Sequence, residues 1–188
     1  MSRTLAVGLV SVVVLGLGTA VASSAFTTAT IERDATIDVV TDANGPISLQ
    51  DGNSGDVVVQ AVSGELTVDF SNPAGSTGVN PDSTYTLGDT ADAGSSGTYA
   101  FSVTNTDSAS HDLEFAYAFT GIDPDGGVTN VEFAIFDDTG SSEGAASEGG
   151  AATVTVPSGE TVNVVVTVDS TGLTASDTLS GTLTIATA

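Results

Sequence analysis

From Thr30 onward the chain alternates apolar and polar side chains in short runs, the two-residue period of strands whose faces meet different surroundings. In "TIERDATIDVV" Ile31, Ala35, Ile37 and Val39 share one face with Arg33, while Glu32, Asp34, Thr36 and Asp38 share the other. "TDANGP" then supplies Asp42, Asn44, Gly45 and Pro46, a turn by composition. "ISLQ" is a short strand, and "DVVVQAV" and "ELTVDF" flank Ser63-Gly64 as a hairpin, with Leu66, Val68 and Phe70 on one face of its second arm. Residues 71–97 read as loop around the short "STYTL".

The clearest strands come next. "TYAFSV" places Tyr99, Phe101 and Val103 on one face, and "LEFAYAF" places Leu113, Phe115, Tyr117 and Phe119 together. These two runs hold most of the aromatic residues and mark the centre of the core. "NVEFAIF" follows, and "DDTGSSEGAASEGGA" after it reads as a mobile loop. "ATVTV" and "TVNVVVTVD" surround "PSGE" as a hairpin, with Val162, Val164, Val166 and Val168 on one face, and "SGTLTIA" contributes Leu183 and Ile185. Helical periodicity is nearly absent. About eight to ten short strands with polar turns predict an all-β fold, an antiparallel β-sandwich of jelly-roll or Ig-like type.

The N-terminus is of a different kind. Arg3 precedes an uncharged run, residues 4–22, that ends in Ala20 and Ala22, the parts of a secretory signal peptide. The expected organisation is a signal segment over residues 1–22, or to 25, a strand over 23–41, and one sandwich domain over 42–188. A retained anchor is the alternative, since a run of this length just spans a bilayer. Gly8, Gly16 and Gly18 weaken it as a permanent helix. No second hydrophobic run follows, so no C-terminal anchor is expected.

Charge narrows the partners. Asp and Glu total 24 against 2 Lys+Arg, a net charge of −22. Such a surface repels nucleic acid and anionic lipid, so nucleic acid is excluded as a partner and a membrane is met only transiently unless the N-terminal run is retained. At about 1 M salt the Debye length falls to about 3 Å and the self-repulsion is screened, so the acidity reads as adaptation to brine. Once residues 1–22 are removed, Arg33 is the one Lys or Arg left. With no cysteine, disulfides and thiolate chemistry are excluded, and with no lysine so are isopeptide cross-links.

Catalytic chemistry has little support. His111 is the one histidine, no serine sits in a nucleophile elbow, and no H-E-x-x-H occurs, so the chain is expected not to be an enzyme. No cofactor is required. Structural calcium is the one candidate: "DGNSGD" offers Asp51, Asn53 and Asp56, and "DPDGG" offers Asp123 and Asp125. Neither completes an EF-hand loop, and ordinary Asx and Gly turns explain both stretches equally.

The stretch "SSAFTTATIERDATIDVVTDANGPISL" resembles the haloarchaeal secreted proteins related to the TasA/camelysin group, with a signal ending in small residues, Ala25-Phe26-Thr27, a spacer and an extended strand before an Asp-rich turn. "VPSGETVNVVVTVD" and "SGTLTI" are compatible with it. The resemblance implies a jelly-roll domain exported through a signal peptidase and polymerising head to tail with copies of itself. In this reading the N-terminal strand of one subunit completes the sheet of the next. The candidate intersubunit residues are Phe26, Ile31, Arg33, Ala35, Ile37 and Val39. The protease activity described for camelysin has no motif here to support it.

The residues alone leave two destinations for that strand. It pairs with a neighbour by β-augmentation, or it pairs inside its own sandwich with Glu32, Asp34 and Asp38 guarding a sheet edge. The first makes the chain an extracellular filament or biofilm-matrix subunit, and the second a monomeric cell-surface or envelope-associated domain. A carbohydrate-binding module is a third and weaker reading. Such sites present exposed aromatics, and the chain has no Trp.

Overall fold

A computed structural model describes residues 41–61, 63–73, 76–124, 126 and 128–188. Contacts divide the chain into Met1–Asp38 and Val39–Ala188, and the described residues all belong to the second unit. After a 3₁₀ turn at Asp42–Asn44 they form, in chain order, β1 (Ile47–Asp51), β2 (Val58–Gln60), β3 (Leu66–Val68), β4 (Thr84–Leu87), β5 (Phe101–Asn105) and β6 (His111–Phe119). There follow β7 (Val131–Phe136), β8 (Ser142–Ser147), β9 (Ala152–Val156), β10 (Thr161–Asp169) and β11 (Gly181–Thr187).

The longer sheet is organised by β10. Its four valines at 162, 164, 166 and 168 are buried, and so are Asn163 and Val165 on its other face. Buried on both faces, such a strand must lie inside a sheet, and its ladders confirm this. β7 runs antiparallel along one edge, from Asn163 opposite Phe136 to Val168 opposite Val131. The other edge is shared, with β5 beside its first half and β4 beside its second. β1 lies outside β5 and β8 outside β7, giving the path β1-β5-β10-β7-β8. The second sheet has three strands, with β6 between β9 and β11. Its Leu113, Phe115 and Tyr117 meet Phe101, Phe133, Ile135 and the four valines in one core, as the alternation predicted. The chain is an antiparallel, all-β sandwich.

β4 and β5 are two halves of one edge, separated by an excursion whose neck is the pairing of Gly88 with Tyr99. Gly88 sits at φ 104°, and a Cβ there would lie 2.9 Å from the Thr98 carbonyl oxygen, so the neck needs glycine. The excursion covers the outer face of the sheet. Ala93 packs on Val165 and Phe136, and Asn163 Nδ2 donates to the Ala93 carbonyl at 2.8 Å. That small second core explains the uninterrupted "VNVVV" run.

Two expectations are corrected. "SSEGAASEGGA" is not simply a loop, because Ser142–Ser147 forms β8 and pairs with β7 across a bulge at Ile135/Phe136. The runs around "PSGE" are not a hairpin, since β9 joins β6 in one sheet and β10 joins β5 and β7 in the other. The physical reason is Asn105. Its Nδ2 donates to the Ala109 and Val156 carbonyls at 2.7 and 2.9 Å, and its backbone carbonyl accepts from Gly159 N at 2.8 Å. Those bonds fasten the turn across the top of the sandwich, so the chain changes sheets there.

Candidate functional site

The two long sides of the sandwich are built differently. On one side the chain passes from β8, at the rim of one sheet, to β9, at the rim of the other. The turn between them is held by Ser147 pairing with Gly150, and by Glu148, whose carboxylate accepts from the backbone N–H groups of Asn130 and Val131. On the other side β1 and β11 are the two rims, and among the described residues no such crossing joins them. The small β2–β3 hairpin stands there instead.

Between β3 and β11 opens a groove of about 920 Å³. Its walls are Leu66, Thr67 and Val68 on one side and Gly181, Leu183 and Ile185 on the other, and its floor reaches core residues Phe101, Phe133 and Val166. Among the described residues β11 has a ladder only with β6, and β3 only with β2. β11 therefore turns a row of backbone donors and acceptors outward, whereas on the free edge of β3 the Leu66 N–H is already taken by Asp42. Val68 is 37% exposed, and Leu183 and Ile185 are only half buried although their side chains point inward.

Tyr117 anchors the floor. Its ring packs on Phe119 and Phe133, both at 5.4 Å between centroids, and its hydroxyl donates to the Leu179 carbonyl at 2.8 Å. Burial, and secondarily the charge of Glu148, pushes the Tyr117 phenol up to about 12.

Asp42, Glu65, Asp69 and Asp177 line the same groove. Asp42 Oδ2 accepts from Leu66 N at 2.9 Å, and Asp42 N donates to the Gly64 carbonyl at 3.2 Å. Asp69 accepts from the hydroxyl and backbone N–H of Ser71 at 2.6 and 2.8 Å, and these bonds, the hydroxyl's first, hold its carboxyl below the usual range. Asp177 is likewise lowered, first by Thr174 N at 2.7 Å and then by its hydroxyl at 2.9 Å. The Glu65 carboxylate makes no hydrogen bond among the described residues.

The sequence-derived candidates fall in separate places. Phe26, Ile31, Arg33, Ala35, Ile37 and Val39 lie outside the described residues. Of the calcium candidates, Asn53 is a structural clamp, its Oδ1 accepting from Tyr99 N at 3.1 Å and its Nδ2 donating to the Gly97 carbonyl at 2.8 Å. Asp51 ends β1, and burial, together with the nearby charge of Asp56, raises its carboxyl against a bond from Gly52. Asp123 Oδ1 accepts from Gly126 N at 3.0 Å, an ordinary Asx turn, and Asp125 lies outside the described residues. Among the described residues no three His, Asp or Glu side chains gather as a metal site.

His111 Nε2 lies 2.7 Å from Asp107 Oδ2, and the bond from His111 leads the causes that hold Asp107 low. Ser158 donates to the Asp107 backbone carbonyl rather than to the imidazole, so the three do not form a nucleophile chain. What sequence reasoning missed is the groove. Its two walls lie more than a hundred positions apart in the chain, and neither "LTV" nor "GTLTIAT" carries a local signal of it. Compared with family models, with characterised proteins and with solved structures, the chain finds no match.

Proposed function

We propose that the protein is an extracellular structural subunit whose N-terminal strand, residues 31–39, fills the groove of a neighbouring copy and so builds a filament. The observation that carries this reading is the groove between β3 and β11, floored by the core and bordered by two strand edges that each lack one ladder. A β-strand is the ligand such a site fits best. Its backbone pairs along β11 and with what remains open on β3, and alternate side chains reach an apolar floor. β11 has seven residues and spans roughly 23 Å, within the roughly 30 Å of a nine-residue extended segment. Ile31, Ala35, Ile37 and Val39 supply the alternation.

The second reading keeps the strand at home. Thr41 lies beside Gly64 at the rim of the hairpin, so the segment before it starts within reach of its own groove. That arrangement gives a monomeric surface domain. Electron microscopy in about 2 M salt, where surface repulsion is screened, separates the readings. Filaments from the chain beginning at Ser23, and dispersed folded particles from one beginning at Asp42, support assembly. Monodisperse particles from the longer chain, with unfolding of the shorter one, overturn it.

A further inference from the structure

The groove has a direction, and the direction decides whether strand insertion gives a closed pair or an open fibre. β11 ends beside the start of β6, with Thr187 opposite Leu113. The turn that follows β5 lies at the same end, where Thr106 N donates to the Pro46 carbonyl at 2.8 Å and Ser48 Oγ to the Ala43 carbonyl at 3.0 Å. The chain therefore enters the sandwich, at Thr41 and Asp42, at the Thr187 end of the groove. A strand lying in its own groove must run toward that end, parallel to β11.

A neighbour's strand inserted the same way comes in over the Thr187 end and brings two Thr187 ends together. That contact is reciprocal and closes on itself. A strand running antiparallel to β11 comes in over the Gly181 end. The Thr187 end of the donor then meets the Gly181 end of the acceptor, a heterologous contact that leaves both outer ends open.

Resting on the strand-and-groove reading above, we infer that the inserted strand runs antiparallel to β11, with Arg33 against Glu65. Two independent observations point there. The first is the ladder. β3 and β11 run in opposite directions, Leu66 lying beside Asp42 at the Thr187 end and Phe70 stacking on Tyr85 at the far end at 5.8 Å. Any strand between them is antiparallel to one and parallel to the other, and the better antiparallel ladder belongs with seven-residue β11 rather than three-residue β3.

The second is charge. Asp69 and Asp177 mark the Gly181 end, and both carboxylates are already bonded to their own turns. Glu65 marks the Thr187 end, and its carboxylate makes no hydrogen bond among the described residues. Arg33 stands near the start of the strand, so only antiparallel insertion carries it to Glu65. There its stem lies on the apolar floor and its guanidinium reaches the rim.

The absence of native cysteine makes disulfide trapping clean. Asp38 has the outward parity of the strand, and Thr182 and Ala186 have the outward parity of β11. In the chain from Ser23 to Ala188, antiparallel insertion brings Asp38→Cys beside Thr182→Cys, and parallel insertion brings it beside Ala186→Cys, within the 4.4–6.8 Å that a disulfide tolerates between Cα atoms.

The expected result is a ladder of covalent oligomers from D38C/T182C under oxidation and none from D38C/A186C. Arg33→Glu then slows assembly at least tenfold, and Glu65→Arg restores it. Bonding through D38C/A186C, as monomers or dimers, overturns the polarity while leaving a strand in the groove. No bonding from either pair overturns the strand-and-groove reading itself. Ladders that form equally with Arg33→Glu in place overturn the Arg33–Glu65 pairing alone.

Discussion

The two long sides of this sandwich use similar strands to opposite ends. Where β8 hands over to β9, the chain itself closes the gap between sheets, and a carboxylate, Glu148, binds the seam to Asn130 and Val131, where β7 begins. Where β1 faces β11, closure is left to a three-residue-per-arm hairpin, and a groove reaches the core. The difference teaches that core burial and edge protection are separate problems. Phe115 and Val164 are fully buried whatever happens at the rim, while among the described residues β11 has a ladder on one side only. An edge left this way is a liability in a protein meant to stay alone and a connector in one meant to assemble.

The sharpest way to break the comparison is to cut side chains on both sides of it. Phe115→Ala empties a fully buried site and is expected to lower unfolding free energy by about 3–5 kcal/mol in urea titrations. Ile185→Ala, on the half-buried wall of the groove, is expected to cost about 1–2 kcal/mol in the dispersed protein, because neighbours there are fewer. Its larger effect is expected in the proposed assembly, in which a strand fills the groove. Equal losses at the two positions in dispersed protein mean that the groove is packed shut, and the contrast between the sides fails.

Next in size is the seam. Glu148→Ala leaves two backbone N–H groups without their acceptor at the closed side, and a loss of about 1–3 kcal/mol is expected. The same change has a signature that mere destabilisation does not produce. Tyr117 is held up to about 12 first by burial and second by the charge of Glu148. Removing the carboxylate should let phenolate absorbance develop at a lower pH, still above the ordinary tyrosine value because burial remains. An unmoved titration shows that Glu148 acts on the seam alone.

Legibility in sequence followed the centres of the two sheets rather than either side. β6 and β10 announce themselves by strict alternation, and the buried Val165 is readable from the consecutive valines that mark a strand covered on both faces. β8 was invisible, because "SEGAAS" carries no apolar period and earns its place only by pairing with β7. "PSGE" looked like a hairpin turn because a turn's residues encode a reversal, not the sheet that receives the next strand. The fastening came from Asn105, some fifty positions away. On the open side the strand proposed to fill the groove was legible from its own alternation. The groove could not be, since its walls, β3 and β11, are set side by side only by the fold.

The smallest effects test the comparison through one residue type. Asp137, in the β7–β8 turn of the closed side, accepts from Thr139 Oγ1, Ser141 N and Thr139 N at 2.7, 2.7 and 2.9 Å, and these bonds, Thr139's hydroxyl first, lower its carboxyl. Asp51, at the end of β1 on the open side, is raised, by burial first and by Asp56 last. The consequences have opposite signs. A lowered carboxyl contributes stability that is complete above its unfolded value, near 3.8, and is lost as pH falls through the lower folded value. A raised one contributes nothing below the unfolded value and becomes a cost as pH rises through the higher folded value. Asp137→Asn should therefore lower the melting temperature at neutral pH, and the difference from the unsubstituted protein should vanish at the acid extreme. Asp51→Asn should raise it at neutral pH and lose that advantage in acid. Both shifts are expected to be small, since Asp51 is exposed and Asp137 only part-buried, within reach of solvent screening. Their opposite signs, read in the same melting experiment, are what distinguish a rim tied down by its own turn from a rim that carries uncompensated charge.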